Sequence, residues 1–255
     1  MNDANHDELR KQIRAELEAE YAERDIARLR LLSLTAHELA APTTTVKGYV
    51  QILDQGLAGE LSPRQQQMIQ STLRNVERME RMISDLRDFA RLERKQLDLF
   101  PESFAIHTVV YETVGTLMED LRAAKVDLHM AVSDDLPRVY ADRTRAAQIV
   151  TNLLSNAVKY TREAGHITVA AEADNGFVRL SVSDTGVGID PAEQEKLFEP
   201  FFRSEDPFVR ARQGTGLGLV IVRMLVEQQG GAISFESTPG EGSTFAFTLP
   251  VSGTG

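Results

Sequence analysis

The sequence contains no cysteine among its 255 residues. The chain therefore forms no disulfide, uses no thiolate nucleophile and builds no zinc or iron–sulfur site from cysteine ligands. This composition agrees with a reducing compartment, and we expect a cytoplasmic location. The charged N-terminus, which begins MNDANHDELRKQ, does not have the apolar core of a signal peptide.

Basic residues are in deficit, because 28 Lys and Arg stand against 38 Asp and Glu, which gives a formal net charge of −10. Proteins that bind duplex DNA normally carry a basic excess, so we expect no nucleic-acid partner. Long apolar runs are also missing, and none approaches the roughly 20 residues of a transmembrane helix. We therefore expect no membrane span in this chain, while a membrane anchor in a longer parent protein stays compatible with the composition.

Proline and glycine are scarce near the start, where Pro42 and Gly48 are the only ones in residues 7–53. This stretch is rich in good helix formers and predicts one long helix. The segment DQGLAGELSP then breaks the pattern, and a second long helix is predicted from about Pro63 to Leu97. Two long helices joined by a short loop form an antiparallel hairpin.

The second predicted helix carries an apolar stripe with spacings of three and four, which is typical of helices that coil around one another. The stripe consists of Met68, Thr72, Val76, Met79, Ile83, Leu86 and Ala90. One hairpin alone cannot bury two such stripes. Pairing with a second copy forms a four-helix bundle, so the sequence predicts a homodimer.

Beyond Leu97 the pattern changes to alternating strands and helices. Period-two alternation predicts the strands, and a period near 3.6 residues predicts the helices. The strands span residues 166–172, 177–184, 233–237 and 243–250, and the helices roughly residues 106–124, 142–159 and 215–229. This order predicts an α+β two-layer sandwich, in which helices cover one face of an antiparallel-rich sheet.

Three segments of this second half carry residue types that suit a nucleotide. In the first, Asn152, Asn156 and Lys159 share one face of a predicted helix. An amide oxygen suits Mg²⁺, which prefers hard oxygen ligands, and a lysine on the same face can meet a phosphate. The alternative interpretation is that these are ordinary polar residues on a solvent-exposed helix surface and bind no ligand.

The second segment, residues 184–188, has the sequence DTGVG and directly follows a predicted strand. Its aspartate is suited to accept a hydrogen bond from the exocyclic amine of adenine, whereas the carbonyl of guanine would be repelled. The third segment, residues 214–218, has the sequence GTGLG before a helix, where free amides and the helix dipole suit a polyphosphate. Residues 204–213 are polar and irregular, as in a mobile lid. Each glycine segment taken alone is also compatible with an ordinary turn or with tight packing.

A further segment, residues 197–203 with the sequence LFEPFFR, lies between the second and third. In this order and spacing, the four segments resemble the N box, the first Gly-rich box, the F box and the second Gly-rich box of the histidine kinase catalytic domain. That domain has a Bergerat-type (GHKL) ATP-binding fold, so the resemblance implies ATP and Mg²⁺ as ligands. It implies Asn156 as the Mg²⁺ ligand, with Asn152 beside it. It also implies Lys159 and Arg203 at the phosphates and Tyr160 against the base. The remaining implied nucleotide-binding residues are Asp184, Gly186, Gly188, Phe198, Gly214, Thr215, Gly216, Leu217 and Gly218.

One of the five histidines, His37, has an unusual context, because it is followed by Glu38 and, five residues on, by Pro42. Proline releases the helical hydrogen bond to the carbonyl four residues earlier, so we expect a bend just after His37. A neutral imidazole is a nucleophile near pH 7, and a carboxylate that accepts its other ring proton would fix the tautomer. A surface histidine in a charged coil is the alternative.

The segment Ala-His-Glu-Leu-x-x-Pro around His37 is similar to the H box of the dimerisation and phosphotransfer domain of the same family. This resemblance implies a sensor histidine kinase core, in which His37 and Glu38 are catalytic and a response regulator receiver domain is the partner. The chain departs from the family at Ala40 and Ala41, where a basic residue and a Thr or Asn are usual. Because the family's polar residue four after the histidine helps orient water, Ala41 predicts weak phosphatase activity.

The patterns and the resemblance together predict three parts. A signalling or linker helix spans residues 1–30, a dimerisation and phosphotransfer hairpin spans residues 31–97, and a catalytic ATP-binding domain spans residues 98–255. Two alternatives remain open. One is a GHKL-type ATPase that uses water in place of His37, and the other is a dimeric scaffold whose altered H box has lost its chemistry.

Overall fold

The computed structural model describes the backbone of residues 3–253 and the side chains of residues 27 and 29–253. The chain divides into two compact units, with the boundary between Leu97 and Asp98. The predicted signalling helix of residues 1–30 lies partly outside the described residues, and its role stays a prediction. In the part of the chain that is described, no helix is both long enough and apolar enough to cross a membrane.

The first unit is a pair of helices, α1 (Asp3–Asp54) and α2 (Pro63–Glu93). A capping box starts α2, because the Ser62 amide donates to the Gln65 side chain at 2.8 Å while the Ser62 hydroxyl accepts the Gln65 amide. The helix ends four residues before the predicted Leu97. Lys95 has a left-handed backbone conformation with φ of 51°, which terminates the helical hydrogen-bond pattern.

The two helices run antiparallel, as the hairpin prediction requires. Lys47 on α1 pairs with Glu80 on α2 at 2.7 Å, whereas Asp54, further along α1, accepts from Gln70, earlier on α2. Helix α1 continues through Pro42, and the predicted bend after His37 stays a prediction.

Burial in the hairpin follows a seven-residue repeat. The buried residues of α1 that share this spacing are Ala36, Thr43 and Val50, and those of α2 include Val76 and Ile83. Two residues of the predicted stripe, Met68 and Met79, remain 63% and 47% exposed in the single chain. The hairpin therefore buries part of its apolar surface by itself and leaves another part open.

The second unit alternates strands and helices around one sheet, with short elements that the sequence pattern did not predict. In chain order its elements are β1 (Glu102–Phe104), α3 (Ile106–Ala124), β2 (Asp127–Val132), β3 (Val139–Ala141), α4 (Arg143–Tyr160), β4 (His166–Asp174), β5 (Phe177–Asp184), α5 (Pro191–Gln194), α6 (Pro207–Arg210), α7 (Gly218–Gln228), β6 (Ile233–Thr238) and β7 (Gly242–Pro250). The α+β architecture of the prediction is confirmed.

The main sheet has the strand order β2-β4-β5-β7-β6, and only the β2–β4 pairing is parallel. Strands β4 and β5 form the predicted hairpin, whose turn places Asn175 and Gly176 at φ of 45° and 86°. The small strands β1 and β3 pair separately. Strand β2 reaches its partner β4 only through the intervening helix α4, as a parallel connection requires.

Helix α4 lies between α3 and α7 and provides the centre of the core. Asp142 caps it by accepting the Arg145 amide at 3.0 Å. Its inward face is fully buried at Ile149, Val150 and Leu154. Burial of each such side chain stabilises the fold by about 1.5–3 kcal/mol, which fixes the rotation of the helix. The polar residues of α4 are thereby held at one edge of this core.

Candidate nucleotide-binding site

The two asparagines of the predicted N box lie half-buried on α4. The Asn152 amide nitrogen donates to the Gln148 carbonyl at 3.1 Å, which leaves its oxygen facing the start of α7. A methyl group on Gly218 would lie 2.9 Å from that oxygen. Absence of a side chain at position 218 therefore lets the glycine-rich loop approach α4. Among the described side chains, those of residues 27 and 29–253, the Asn156 side chain forms no hydrogen bond, so its amide oxygen is available to a ligand.

The DTG turn after β5 is joined to the C-terminal end of α4. Asp184 Oδ1 accepts the Gly186 amide at 2.8 Å, and the Val187 amide donates to the Tyr160 carbonyl at 3.2 Å. A methyl group on Gly186 would lie 2.5 Å from both Asp184 Oδ1 and the Tyr160 carbonyl oxygen. Position 186 therefore accepts no side chain, and the turn lies flat against the helix end.

The environment of Asp184 is suited to a hydrogen-bond donor from a ligand. Burial raises the pKa of its carboxyl from 3.8 to about 6, while the amides of Gly186 and Ser243 oppose this rise. The group is still mainly ionised at neutral pH, yet it is partly desolvated. A carboxylate in such surroundings gains more from a new donor than an exposed carboxylate does.

Two glycines of the predicted boxes are required for packing between loops. Gly188 has φ of 67°, and a methyl group there would lie 2.0 Å from the Thr238 carbonyl oxygen. Gly216 has φ of 72°, and its carbonyl accepts the Phe201 amide at 3.1 Å. The tight-packing interpretation of these glycines is thus supported, and their predicted contacts with nucleotide stay predictions.

Gly214, Tyr160 and Arg203 are brought together, as the family resemblance requires. A methyl group on Gly214 would lie 3.9 Å from both Tyr160 Oη and Arg203 Nε. Burial raises the pKa of Tyr160, and the nearby guanidinium groups of Arg203 and Arg212 act in the opposite direction. The Arg203 guanidinium also donates to the carbonyls of Val209 and Arg212 in the predicted lid. Both of these bonds come from Nη2, so the Nε and Nη1 hydrogens of Arg203 can still make the predicted phosphate contact.

Phe198 has a packing role in the structure. Its ring lies 5.9 Å from the ring of Phe235, which stacks on Phe245 at 5.7 Å, and the Arg223 guanidinium lies 5.2 Å from the Phe198 ring. The predicted contact of Phe198 with nucleotide stays a prediction.

The remaining predicted residues lie in the glycine-rich loop, on α4 and on α1, and their roles stay predictions. Leu217 is buried and anchors the glycine-rich loop, while the Thr215 hydroxyl accepts the Leu217 amide at 3.2 Å. Lys159 is exposed on α4. His37 and Glu38 are exposed on α1, and no hydrogen bond joins their side chains in the described part of the chain. Neighbours on a helix point about 100° apart, so the proposed carboxylate–imidazole bond needs a rearrangement.

Three residues near this site are not among the residues predicted from the sequence motifs. The amide of Ser243 faces Asp184, and Arg162 and Arg212 both lie close to the ring of Phe208 in the lid. A lone arginine after a helix carries no sequence signal. For Ser243, its position opposite Asp184 in the β5–β7 register follows from the strand pairing.

Gly218→Ala is expected to weaken ATP binding about tenfold, because the added methyl group displaces the Asn152 amide from its place beside the glycine-rich loop. Isothermal titration calorimetry with ATP and Mg²⁺ checks this prediction. Gly115→Ala on α3 is the matched control, since a methyl group there meets no atom within 4 Å and alanine favours helix. Equal affinities in the two variants would contradict the proposed role of Gly218.

An asparagine-bearing helix, an Asp-Thr-Gly turn after a strand and a glycine-rich loop before a helix meet in one unit, and together they define an ATP-binding domain. Residues 141–253 match the family model described as histidine kinase-, DNA gyrase B- and HSP90-like ATPase. Residues 27–95 match the His Kinase A (phospho-acceptor) domain. The chain therefore belongs to the histidine kinase family.

Individual relatives agree with this assignment. The circadian input-output histidine kinase CikA of Synechococcus elongatus is 34% identical over 86% of this chain and 29% of its own length. The structure of full-length ShkA in complex with AMPPNP superposes with a TM-score of 0.72 and 30% identity, over 87% of this chain and 46% of that one. The catalytic domain of histidine kinase ThkA matches 60% of this chain and 96% of its own, with 33% identity and a TM-score of 0.52. The chain spans between about a quarter and a half of the curated relatives that it matches.

Proposed function

We propose that this chain is an autophosphorylating histidine kinase of a two-component system. It binds Mg-ATP between α4, the DTG turn and the glycine-rich loop, and transfers the γ-phosphoryl group to His37. The phosphoryl group then passes to an aspartate of a response regulator receiver domain. Since ATP is the phosphoryl donor, the reaction belongs in the cytoplasm.

The convergence of distant segments on α4 carries this proposal. Gly218 approaches Asn152, the DTG turn is bonded to Tyr160, and Gly214 lies beside the Tyr160 hydroxyl. These contacts support a proposal in which the phosphates and the base lie along one helix. Positioning and charge neutralisation dominate phosphoryl transfer, so a site of this kind needs few groups that react chemically.

Asn156 fits the role of a Mg²⁺ ligand. Its amide oxygen is a hard donor, and it makes no hydrogen bond within the described residues that binding would break. Mg²⁺ usually takes few protein ligands and completes its octahedron with phosphate oxygens and water. A bound ion would neutralise charge on the phosphates, while Asn152 stays beside the glycine-rich loop.

The reaction is proposed to occur in a homodimer. Leu39, Val46 and Met79 are 45%, 47% and 47% exposed in the single hairpin. A second copy would cover such residues in a four-helix bundle, and the match to the phospho-acceptor domain supports this arrangement.

Incubation of the purified chain with γ-labelled ATP and Mg²⁺ tests the proposed function. We expect a label on the protein that is labile in acid and stable in base, as phosphohistidine is. Release of phosphate without labelled protein would instead support an ATPase that uses water. If the chain neither binds nor hydrolyses ATP, the result would support the alternative of a dimeric scaffold without catalytic activity.

Ala41→Thr is expected to raise phosphatase activity toward a phosphorylated response regulator by about tenfold over a weak starting level. Ala41 is exposed one turn after His37, and a hydroxyl there can orient an attacking water. The measurement is the loss of label from the regulator in the presence of ADP. Ala40→Thr serves as the control on the neighbouring residue, and rapid dephosphorylation by the unmodified chain would refute the prediction.

A further inference from the structure

The lid contains an aromatic side chain held between two arginines. The guanidinium carbon of Arg212 lies 3.2 Å from the centroid of the Phe208 ring, and that of Arg162 lies 5.2 Å away. Arg212 also donates to the Phe208 carbonyl at 3.0 Å, which fixes its guanidinium over the ring. Cations within about 6 Å of an aromatic centroid are attracted to the ring face.

These contacts place the middle of the lid near the C-terminal end of α4, where Gly214 of the glycine-rich loop also lies beside Tyr160. The lid ends at that loop, where Gly218 meets Asn152. Arg162 follows the C-terminal end of the helix, whose last residue, Tyr160, lies eight residues after Asn152, about 12 Å along the helical axis. Phe208 is thus held near the end of α4 that the DTG turn contacts, which is the proposed base position.

The lid has a defined local structure around Phe208. Asp206 caps the short helix α6 by accepting the amides of Phe208 and Val209, at 2.7 and 3.2 Å. The Glu205 amide donates to Glu193, which ties the start of the lid to the segment after the DTG turn, at 3.0 Å. These bonds fix where the aromatic ring is presented.

The charges of this cluster are not neutralised locally. Arg162, Arg203 and Arg212 form no ion pair with a carboxylate among the residues whose side chains are described, although the chain is acidic overall. Guanidinium groups without carboxylate partners keep their positive potential for an anionic guest. A phosphate in the cleft would therefore compete with no carboxylate for these three arginines among the described side chains.

We propose that Phe208 is a nucleotide-positioning residue, which Arg162 and Arg212 clamp so that the lid stays closed over the base end of the cleft and slows nucleotide release. This inference rests on the proposed ATP binding and adds residues outside the recognised boxes. It assigns Phe208 to retention of the nucleotide and not to transfer of the phosphoryl group.

Stopped-flow measurement of mant-ADP binding and release by the whole chain tests this role. Phe208→Ala is expected to raise the dissociation rate constant about five- to tenfold with little change in the association rate constant. Phe208→Tyr keeps the ring face and is expected to restore the original rate. Arg162→Gln, which removes one cation, is expected to raise the dissociation rate about threefold.

Phe100→Ala is the matched control, because Phe100 lies in the same unit, is 77% exposed and is remote from the cluster in sequence. It is expected to leave both rate constants unchanged. The rate of autophosphorylation at saturating ATP is expected to stay within about twofold in Phe208→Ala, while the KM for ATP rises.

Slower release, unchanged release or tighter binding in Phe208→Ala would overturn the proposal, since the ring would then block the cleft or have no part in it. Failure of the unmodified chain to bind mant-ADP would overturn the proposed function together with this inference. Binding by the unmodified chain with no response in Phe208→Ala would overturn the inference alone.

Discussion

A His37→Gln variant is expected to bind ATP with unchanged affinity and to accept no phosphoryl group. Glutamine approximates the size of the imidazole and keeps polar atoms, but it has no ring nitrogen that can attack phosphorus. Because position 37 is exposed on α1, the substitution leaves no cavity and no buried unpaired group. The expected effect is a loss of labelling of at least about a thousandfold.

His129→Gln is the matched control, because His129 is also exposed but lies on β2. It is expected to label at the normal rate. Calorimetry with ATP shows whether His37→Gln has lost only the phosphoryl acceptor, in which case the ATP affinity is unchanged, or has also lost the ATP-binding site. Persistent labelling of His37→Gln would mean that another residue accepts the phosphoryl group, and undiminished release of phosphate would favour an ATPase that uses water.

Asp184→Asn is expected to weaken ATP binding by about 30- to 100-fold. The amide oxygen can still accept the Gly186 amide, so the turn keeps its conformation. The nearby amide nitrogen, however, presents hydrogens where the adenine amine also presents hydrogens. Loss of a hydrogen bond to a charged group costs about 1.5–3 kcal/mol. Titration calorimetry measures the affinity, and Asp190→Asn, on an exposed cap after the same turn, is the control.

The pH dependence provides a second test of Asp184. As its pKa is raised to about 6, lowering the pH to 5 protonates most of this carboxyl before nucleotide binds. ATP affinity is then expected to fall about tenfold relative to pH 7.5. Asp184→Asn is expected to lack the part of the pH dependence of ATP affinity that comes from this carboxyl. Because the phosphates of ATP titrate identically in both experiments, the difference between the two proteins excludes their contribution. A parallel fall in both proteins would contradict the assignment.

The raised pKa of Asp184 also affects the stability of the nucleotide-free chain, which is expected to gain at low pH, where ATP binding weakens. The folded-state pKa lies above the ordinary value of 3.8, so the folded chain binds the proton more tightly than the unfolded chain. The contribution to stability is fully present below pH 4 and is lost as the pH rises through about 6. At pH 7.5 the neutral Asp184→Asn variant should therefore melt at a higher temperature, which distinguishes a lost ligand contact from a damaged fold.

The sequence predicted most of the second unit because its long elements have strong periodicity. Strands β4 and β5 alternate cleanly and enclose a turn typical of hairpins, and both were predicted within two residues. The strands β1 and β3 have three residues each, which is too short for a periodic pattern. Strand β2 was missed as well, although Leu128, Met130 and Val132 alternate, because its parallel partner lies beyond α4.

The candidate site was predicted as a set of segments, but the contacts inside it were not. Spacing alone indicated that Asn152 and Asn156 share a helix face, since helix geometry is local. Attachment of Arg203 to the lid carbonyls depends on the path of an irregular segment, which carries no periodic signal. The packing of Phe198 on Phe235 likewise depends on residues far apart in sequence, which only the fold brings together.

The proposed base end of the cleft is built largely from main-chain atoms. The carbonyl of Tyr160 accepts a hydrogen bond from the amide of Val187 in the turn. Gly186 lies against that same carbonyl, and Gly188 packs against the carbonyl of Thr238. The outline of this region is therefore insensitive to many neighbouring substitutions, whereas the proposed preference for adenine rests on the carboxylate of Asp184. Discrimination between bases can consequently change through a single replacement while the surrounding architecture persists, which makes this position a natural starting point for engineering a kinase that accepts a different nucleotide.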